Sequence, residues 1–236
     1  MGLFGLCSFI FREALLKAAE RMPVNKENYI QIREELARAG VTLVAVSKTK
    51  PVDDILALYE LGQRDFGENY VQELVDKQPL LPQDIRWHFI GHLQSNKVKY
   101  IAPFVHLIHG TDSVSTLKEI NKQALKNDRV IDCLLQVHIA REETKFGMDE
   151  AGVDAILSAE PYPGAPIKGL MGMASFSSDL SLVRSEFALL KRIFSNAARY
   201  QPQFDTISMG MSGDYRLAIE EGSNMVRIGS LLFGSR

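Results

Sequence analysis

Cysteine is nearly absent from this 236-residue chain, which carries only Cys7 and Cys133. Two thiols build no disulfide framework, and no Cys/His cluster with metal-ligand spacing surrounds them. Reduced thiols of this kind point to a cytoplasmic protein. A charge excess is missing too: 27 Lys and Arg against 29 Asp and Glu leave a formal net charge of −2. That balance offers no basic footprint for nucleic acid and no polybasic patch for an anionic membrane. No apolar run is long enough to span a bilayer. The opening stretch Met1–Phe11 is apolar, yet it lacks a positive start and a small-residue cleavage site, so it does not read as a signal peptide. Leu6 stands where N-myristoylation wants Ser or Thr. Residues 1–24 are expected to form an extension, frayed or annealed to the body, with a more ordinary start at Met22. Low-complexity linkers and repeats are also lacking, so 25–236 reads as one domain.

What is present is alternation. An amphipathic helix is expected over 25–39, stopped by Gly40 as a C′ glycine. Apolar runs then alternate with helical patterns. Strands are expected at Leu43–Lys48, Arg64–Glu68, Trp87–Gly91, Val105–His109, Val130–Ile139, Ile167–Met171, Thr206–Met209 and Met225–Ile228. Helices fall between them, near 52–62, 69–78, 95–101, 114–126, 149–159, 180–199 and 213–222. Strands alternating with helices argue for a parallel sheet, and eight of them for closure into a (β/α)₈ barrel. An open doubly wound sheet is the alternative. It would carry a glycine-rich fingerprint after the first strand, where this chain has Ser47-Lys48-Thr49-Lys50-Pro51.

Barrel chemistry gathers at the C-terminal ends of strands. Strand one ends at Lys48, an ammonium at the mouth of a buried strand, the setting that produces Schiff-base lysines and general bases. A lysine snorkelling to water is the plainer alternative. Strand six runs into Gly169-Leu-Met-Gly172-Met173-Ala174, small residues that admit a flat ligand. Ser208-Met-Gly210-Met-Ser212-Gly213-Asp214 and Gly222-Ser-Asn224 through Arg227-Ile-Gly229-Ser230 resemble an anion cradle after strands seven and eight. Parity puts Met225, Arg227 and Gly229 on one face, so Arg227 is expected to point into the barrel beside strand one. A buried ion pair with Asp214 or Glu68 is its plainer role. His106 and His109, three apart on a strand, are expected on opposite faces, and His88 and His92 in a capped loop. Glu142-Glu143 and Glu220-Glu221 read as solvated faces.

A strand-end amine, a phosphate cradle and an arginine suit pyridoxal 5′-phosphate. Ala45-Val-Ser-Lys48-Thr-Lys-Pro51, Phe66-Gly-Glu-Asn69-Tyr-Val-Gln-Glu73, Trp87-His-Phe-Ile-Gly91-His-Leu-Gln94-Ser-Asn-Lys97 and Ser208-Met-Gly-Met-Ser212 strongly resemble the pyridoxal phosphate homeostasis protein family. Gly222-Ser223, Val226-Arg-Ile-Gly229 and Phe233-Gly234 complete the pattern, which spans about 41–234. The resemblance implies a single barrel of the alanine-racemase type, a helix before strand one, and pyridoxal phosphate held on Lys48 as a Schiff base. It further implies Ser212, Gly229 and Ser230 at the phosphate, Arg227 at the ring nitrogen, and Asn69 as a polar contact on the cofactor side. Asn224 departs from the Thr common after Gly-Ser, which puts a phosphate-side hydroxyl in question, and His92 from a common Pro.

Two functions follow from different classes. One is a carrier that buffers pyridoxal phosphate and delivers it to apo-enzymes without robust turnover, expected as a monomer because the second domain that pairs racemase barrels is missing. The other is an amino-acid racemase. An arginine at the ring nitrogen makes the ring a weak electron sink, and racemisation needs a second base for which only Tyr70 and Tyr215 offer themselves. Both are expected on helix surfaces, which favours the carrier. A sugar-phosphate barrel with an imine-forming lysine is a third reading, with Glu68 as its only nearby carboxylate.

Overall fold

A computed structural model describes residues 24–142 and 145–234, so the expected extension before Val24 lies outside the described residues. Helix α1 (Lys26–Arg38) begins where the Asn25 side chain accepts the Asn28 N–H, and it buries Tyr29, Ile32 and Leu36 along one stripe. Gly40 follows at φ +65°, a backbone state that a residue with a Cβ adopts only under strain. The chain then alternates β1 (Thr42–Val46), α2 (Val52–Glu60), β2 (Asp65–Glu68), α3 (Val71–Lys77), β3 (Arg86–Phe89), α4 (Val98–Ile101), β4 (Leu107–Thr111) and α5 (Val114–Lys126). It continues through β5 (Asp132–Val137), α6 (Glu150–Leu157), β6 (Ile167–Gly172), α7 (Leu180–Ala198), β7 (Thr206–Ser208), α8 (Tyr215–Glu220), β8 (Met225–Ile228) and the short α9 (Ser230–Phe233).

The strands pair in chain order, all parallel, and β8 closes onto β1 through Thr42↔Met225 to Ala45↔Ile228. The open sheet is thereby excluded. Closure gives each strand two apolar environments. Outward side chains such as Ala45, Phe66, Phe89, Ile108, Leu135 and Ile228 join the helices in the large core. Inward ones form a small axial cluster of Val44, Leu107, Leu134, Met171 and Met225. Complete burial of one such Leu or Phe stabilises the fold by about 1.5–3 kcal/mol, so the outer layer carries most of the stability. Each barrel strand lies within about two residues of its expected position, and the long fifth run is trimmed by two residues at each end. No described helix is long and apolar enough to cross a membrane.

Two expectations about side chains change here. His106 precedes β4 and escapes strand alternation, and the β4–β5 register shifts between Ile108 and Thr111. Both His106 and His109 therefore approach His88, with ring centroids 5.6 and 5.2 Å away. His88 is a buried residue of β3, not part of a capped loop.

Candidate functional site

Lys48 leaves the barrel just beyond β1, and its neighbours on both sides are pinned. The Ser47 hydroxyl donates to Glu68 Oε1 at 2.7 Å, and the Thr49 N–H donates to Glu73 Oε1 at 2.5 Å. Lys77 ties these together by donating to Ser47 O (2.9 Å), Glu68 Oε1 (2.7 Å) and Glu73 Oε1 (2.6 Å). Thr49 has φ +63°, an outlier for a β-branched residue that costs about 1–3 kcal/mol and persists only when its surroundings over-determine it. The Lys77 strut supplies that constraint. Burial raises the Glu68 carboxyl above the ordinary range, with Lys77 and Ser47 opposing it. Glu68 is thus a holder of the Lys48 turn, not a partner of Arg227 and not a free acid.

The loop after β7 is built on glycine. Gly210 sits at φ +95°, where a Cβ would lie 2.6 Å from the Ala218 Cβ. This tight turn brings Ser212 over β8, where its Oγ accepts the Gly229 N–H at 3.2 Å. Gly229 in turn runs close to β1, and a Cβ there would meet Val46 O at 3.3 Å. Lys48, Gly229 and Ser230 line one cavity of about 150 Å³ with Val46, Thr49, Lys50 and Gly234. That volume is below the roughly 300–1,000 Å³ of whole-ligand pockets, so it suits one end of an elongated ligand. Lys50 closes its rim by donating to Phe233 O at 2.8 Å.

Arg227 points inward as parity requires and is 4% exposed. It pairs in register with Val44, so Lys48 stands four residues further along the chain, just past the end of β1 at the C-terminal mouth. Its guanidinium donates to Ser208 Oγ at 2.6 Å and to Gly172 O at 3.0 Å. Burial lowers it to about 10, partly offset by Asp214, and at neutral pH it stays a cation and a donor. Neither expected carboxylate forms its ion pair: Asp214 accepts the Met211 N–H at 2.6 Å and acts on Arg227 from further away.

Asn69 is set apart from this group. It lines a different cavity of about 480 Å³ with His92, Gln94, Lys97 and Tyr100. Among the described residues its buried Oδ1 has no hydrogen-bond partner, and neither does Glu68 Oε2. Buried acceptors left unsatisfied are costly, and at a strand end they mark places where a ligand can donate. The Lys48 amine, the Gly229 backbone, the Ser212 and Ser230 hydroxyls and the desolvated Arg227 cation fit a small aromatic phosphate carrying a carbonyl.

Other residues behave differently from expectation. Tyr215 is buried, and its hydroxyl bonds Glu35 Oε2 at 3.1 Å on α1. Tyr70 is 55% exposed and matches its surface reading. Glu142 keeps a partly exposed side chain, as expected, yet the Phe176 N–H donates to it at 2.9 Å and, with further hydrogen bonds, lowers it to about 2. Asn224 works at the far end of the barrel, accepting the Ile207 N–H at 2.8 Å, so its departure from the common Thr concerns β7–β8 pairing. The Lys77 strut was invisible to sequence reasoning because a lysine on an amphipathic helix ordinarily faces solvent.

Comparison with known proteins agrees with this fold. Residues 25–236 match the family model described as alanine racemase, N-terminal domain. The pyridoxal phosphate homeostasis protein of Vibrio alginolyticus is 39% identical over 217 residues, covering 87% of this chain and 93% of that protein. The structure of PipY from Synechococcus elongatus PCC7942 with PLP bound is similar at 33% identity and TM-score 0.78, over 88% of this chain and 99% of that one. An alanine racemase from Bartonella henselae, with covalently bound pyridoxal phosphate, shares the fold alone: 18% identity, TM-score 0.68, over 88% of this chain and 59% of that one.

Proposed function

We propose, from the premise that this chain belongs to the pyridoxal phosphate homeostasis protein family, that it binds, buffers and delivers pyridoxal 5′-phosphate without robust turnover. The observation that carries the reading is the cavity where Lys48 meets Gly229 and Ser230. When bound, the cofactor supplies a reactive aldehyde and an electron-accepting ring. Lys48 Nζ would hold the aldehyde carbon, fixed at the mouth by the Lys77 strut. Ser212, Gly229 and Ser230 would hold the phosphate through hydroxyl and backbone N–H groups. Arg227 would face the ring nitrogen, and Asn69 Oδ1 would accept a hydrogen bond from the ligand side.

These residues support carriage over catalysis. Arg227 can only donate, so it leaves the ring nitrogen unprotonated and the ring a weak electron sink. A racemase also needs a second base across the substrate carbon from Lys48. Tyr215 is occupied by Glu35, and Tyr70 is exposed beside the other cavity. Apo-enzymes would be the recipients. A cytoplasmic monomer is the form this reading assigns, its compartment supported by the few cysteines.

The test is the absorption spectrum of purified protein with added pyridoxal phosphate, beside Lys48→Ala, followed by borohydride trapping and peptide mapping. A visible band lost in the variant, with the trapped adduct on Lys48, is expected, and the same sample should show no racemase turnover. Adducts scattered over surface lysines would sink the cofactor site. Turnover that disappears in Lys48→Ala would replace carriage with racemisation.

A further inference from the structure

Behind Arg227, polar contacts continue through the barrel axis to its opposite mouth. Ser208 Oγ, which accepts from Arg227, lies 3.1 Å from His109 Nδ1. His109 Nε2 lies 2.9 Å from His88 Nδ1, and His88 Nε2 lies 3.0 Å from Asp65 Oδ1. Arg86 Nε donates to that same Asp65 oxygen at 2.7 Å. Asp65 lines a cavity of about 330 Å³ at the N-terminal ends of the strands, with Arg86, His88 and His106.

The chemistry of the two ends fixes the direction of everything between them. A guanidinium only donates, and an ionised carboxylate only accepts. Burial raises the Asp65 carboxyl, but hydrogen bonds from His88 and Arg86 outweigh it and hold the group well below the usual range. His109 is completely buried, and desolvation keeps it far below the ordinary imidazole value, hence neutral. A neutral imidazole donates through one nitrogen and accepts through the other. Because the Ser208 hydroxyl hydrogen needs His109 Nδ1 as its acceptor, the hydrogen-bond accounting has His88 give its Nε2–H to Asp65 and accept at Nδ1. His109 must give its Nε2–H to His88 and accept the Ser208 hydroxyl proton at Nδ1. Ser208 is left with lone pairs for Arg227, and every donor and acceptor along the axis is satisfied. Protonating His88 instead would reverse both imidazole bonds and leave the Ser208 hydroxyl hydrogen without an acceptor.

We infer that Arg227, Ser208, His109, His88 and Asp65 form one hydrogen-bond chain polarised from Arg227 to Asp65, which makes His109 and His88 positioning residues for Arg227. The chain holds the guanidinium through Ser208 and Gly172 O, using two of its five N–H groups and leaving others for a ligand at the mouth. Its bearing on the cofactor rests on the proposed function, but its polarity does not.

The experiment therefore has two arms. Long-range proton–nitrogen correlation spectra of the ¹⁵N-labelled full chain, without cofactor, report the tautomer of each of the five histidines. Both His88 and His109 are expected as neutral Nε2–H tautomers. An Nδ1–H tautomer at His109, or a doubly protonated ring at either, overturns the polarity. The second arm measures pyridoxal phosphate affinity. His109→Gln keeps an acceptor toward Ser208 and a donor toward His88, and should stay within about 2-fold of the parent. His109→Phe breaks the chain and should weaken binding about 10-fold, the scale of one buried hydrogen bond. Equal losses in both variants, or none in Phe, would overturn the positioning role. Should the Phe variant fail to fold, Ser208→Ala reads the same loss. A parent protein that forms no Lys48 adduct would sink the proposed function while the tautomer spectra still decide the polarity.

Discussion

At the N-terminal mouth of the barrel, Asn224 spans β8 and β7, accepting the Ile207 N–H at 2.8 Å and donating to Asp205 O. Gln63 likewise donates to Leu43 O at 2.8 Å, and Asp65 is held by Arg86 and His88. At the C-terminal mouth the pattern inverts. Among the described residues, Glu68 Oε2, Asn69 Oδ1 and Glu142 Oε2 are buried side-chain atoms without a hydrogen-bond partner, and each belongs to a strand end or the loop after it. Native interiors rarely leave such atoms unmatched, so a cluster at one end means that the end is built for something other than itself. Polar groups at the N-terminal mouth complete the fold, whereas the C-terminal mouth combines a structural strut with acceptors left open for a ligand.

The substitution with the largest expected effect would break this division, because it places a structural strut at the ligand mouth. Lys77→Met leaves the Glu68 carboxylate, 0% exposed, without its cation. Removing one partner of a buried pair costs about 3–5 kcal/mol, and denaturant unfolding should show a loss of that size. The turn of Ser47–Thr49 would lose its tie as well, so Lys48 trapping should fall alongside stability. A variant as stable as the parent would mean that Glu68 is neutralised by other means, and that the strut is not what holds Thr49 at positive φ.

Asn224→Leu sharpens the comparison from the other end. It removes two hydrogen bonds between strands and should cost about 1–2 kcal/mol in thermal or urea unfolding. Pyridoxal phosphate affinity should stay at the parent's level, since the residue lies at the mouth opposite Lys48. A variant of full stability but weakened affinity would show that the two ends do not divide their work.

How much of this division could be read from sequence depends on the range of the contacts involved. The strands and Lys48 were legible because hydrophobic alternation is local, and the inward turn of Arg227 followed from strand parity with Met225. The meeting of Lys48 with Gly229 and Ser230 followed from closure, which makes the first and last strands neighbours. Parity failed at His106 because that residue precedes the regular strand. The chain from Arg227 to Asp65 was not legible either: its links join β8, β7, β4, β3 and β2, and no local pattern records which inward side chains meet across an axis. Asn69 was placed on the correct end but beside a different cavity, since its motif specified the loop and not the side-chain direction.

Asn69 supplies the smallest effect on stability and the finest probe of the comparison. Its Oδ1 is buried without a partner, so replacing the amide with the similarly sized Leu removes a desolvated acceptor that contributes nothing in the ligand-free fold. Asn69→Leu should therefore melt within about 0.5 kcal/mol of the parent, or slightly above it. Pyridoxal phosphate binding should weaken about 10-fold if the orphaned oxygen accepts from the ligand, the value of one buried hydrogen bond. Both readings are needed, because they separate the two kinds of polar residue. Asn224 is expected to lose stability and keep affinity, and Asn69 the reverse. Were Asn69→Leu to lose stability and keep affinity, its oxygen would have a structural partner in solution, and unsatisfied atoms at the strand ends would no longer identify the ligand mouth.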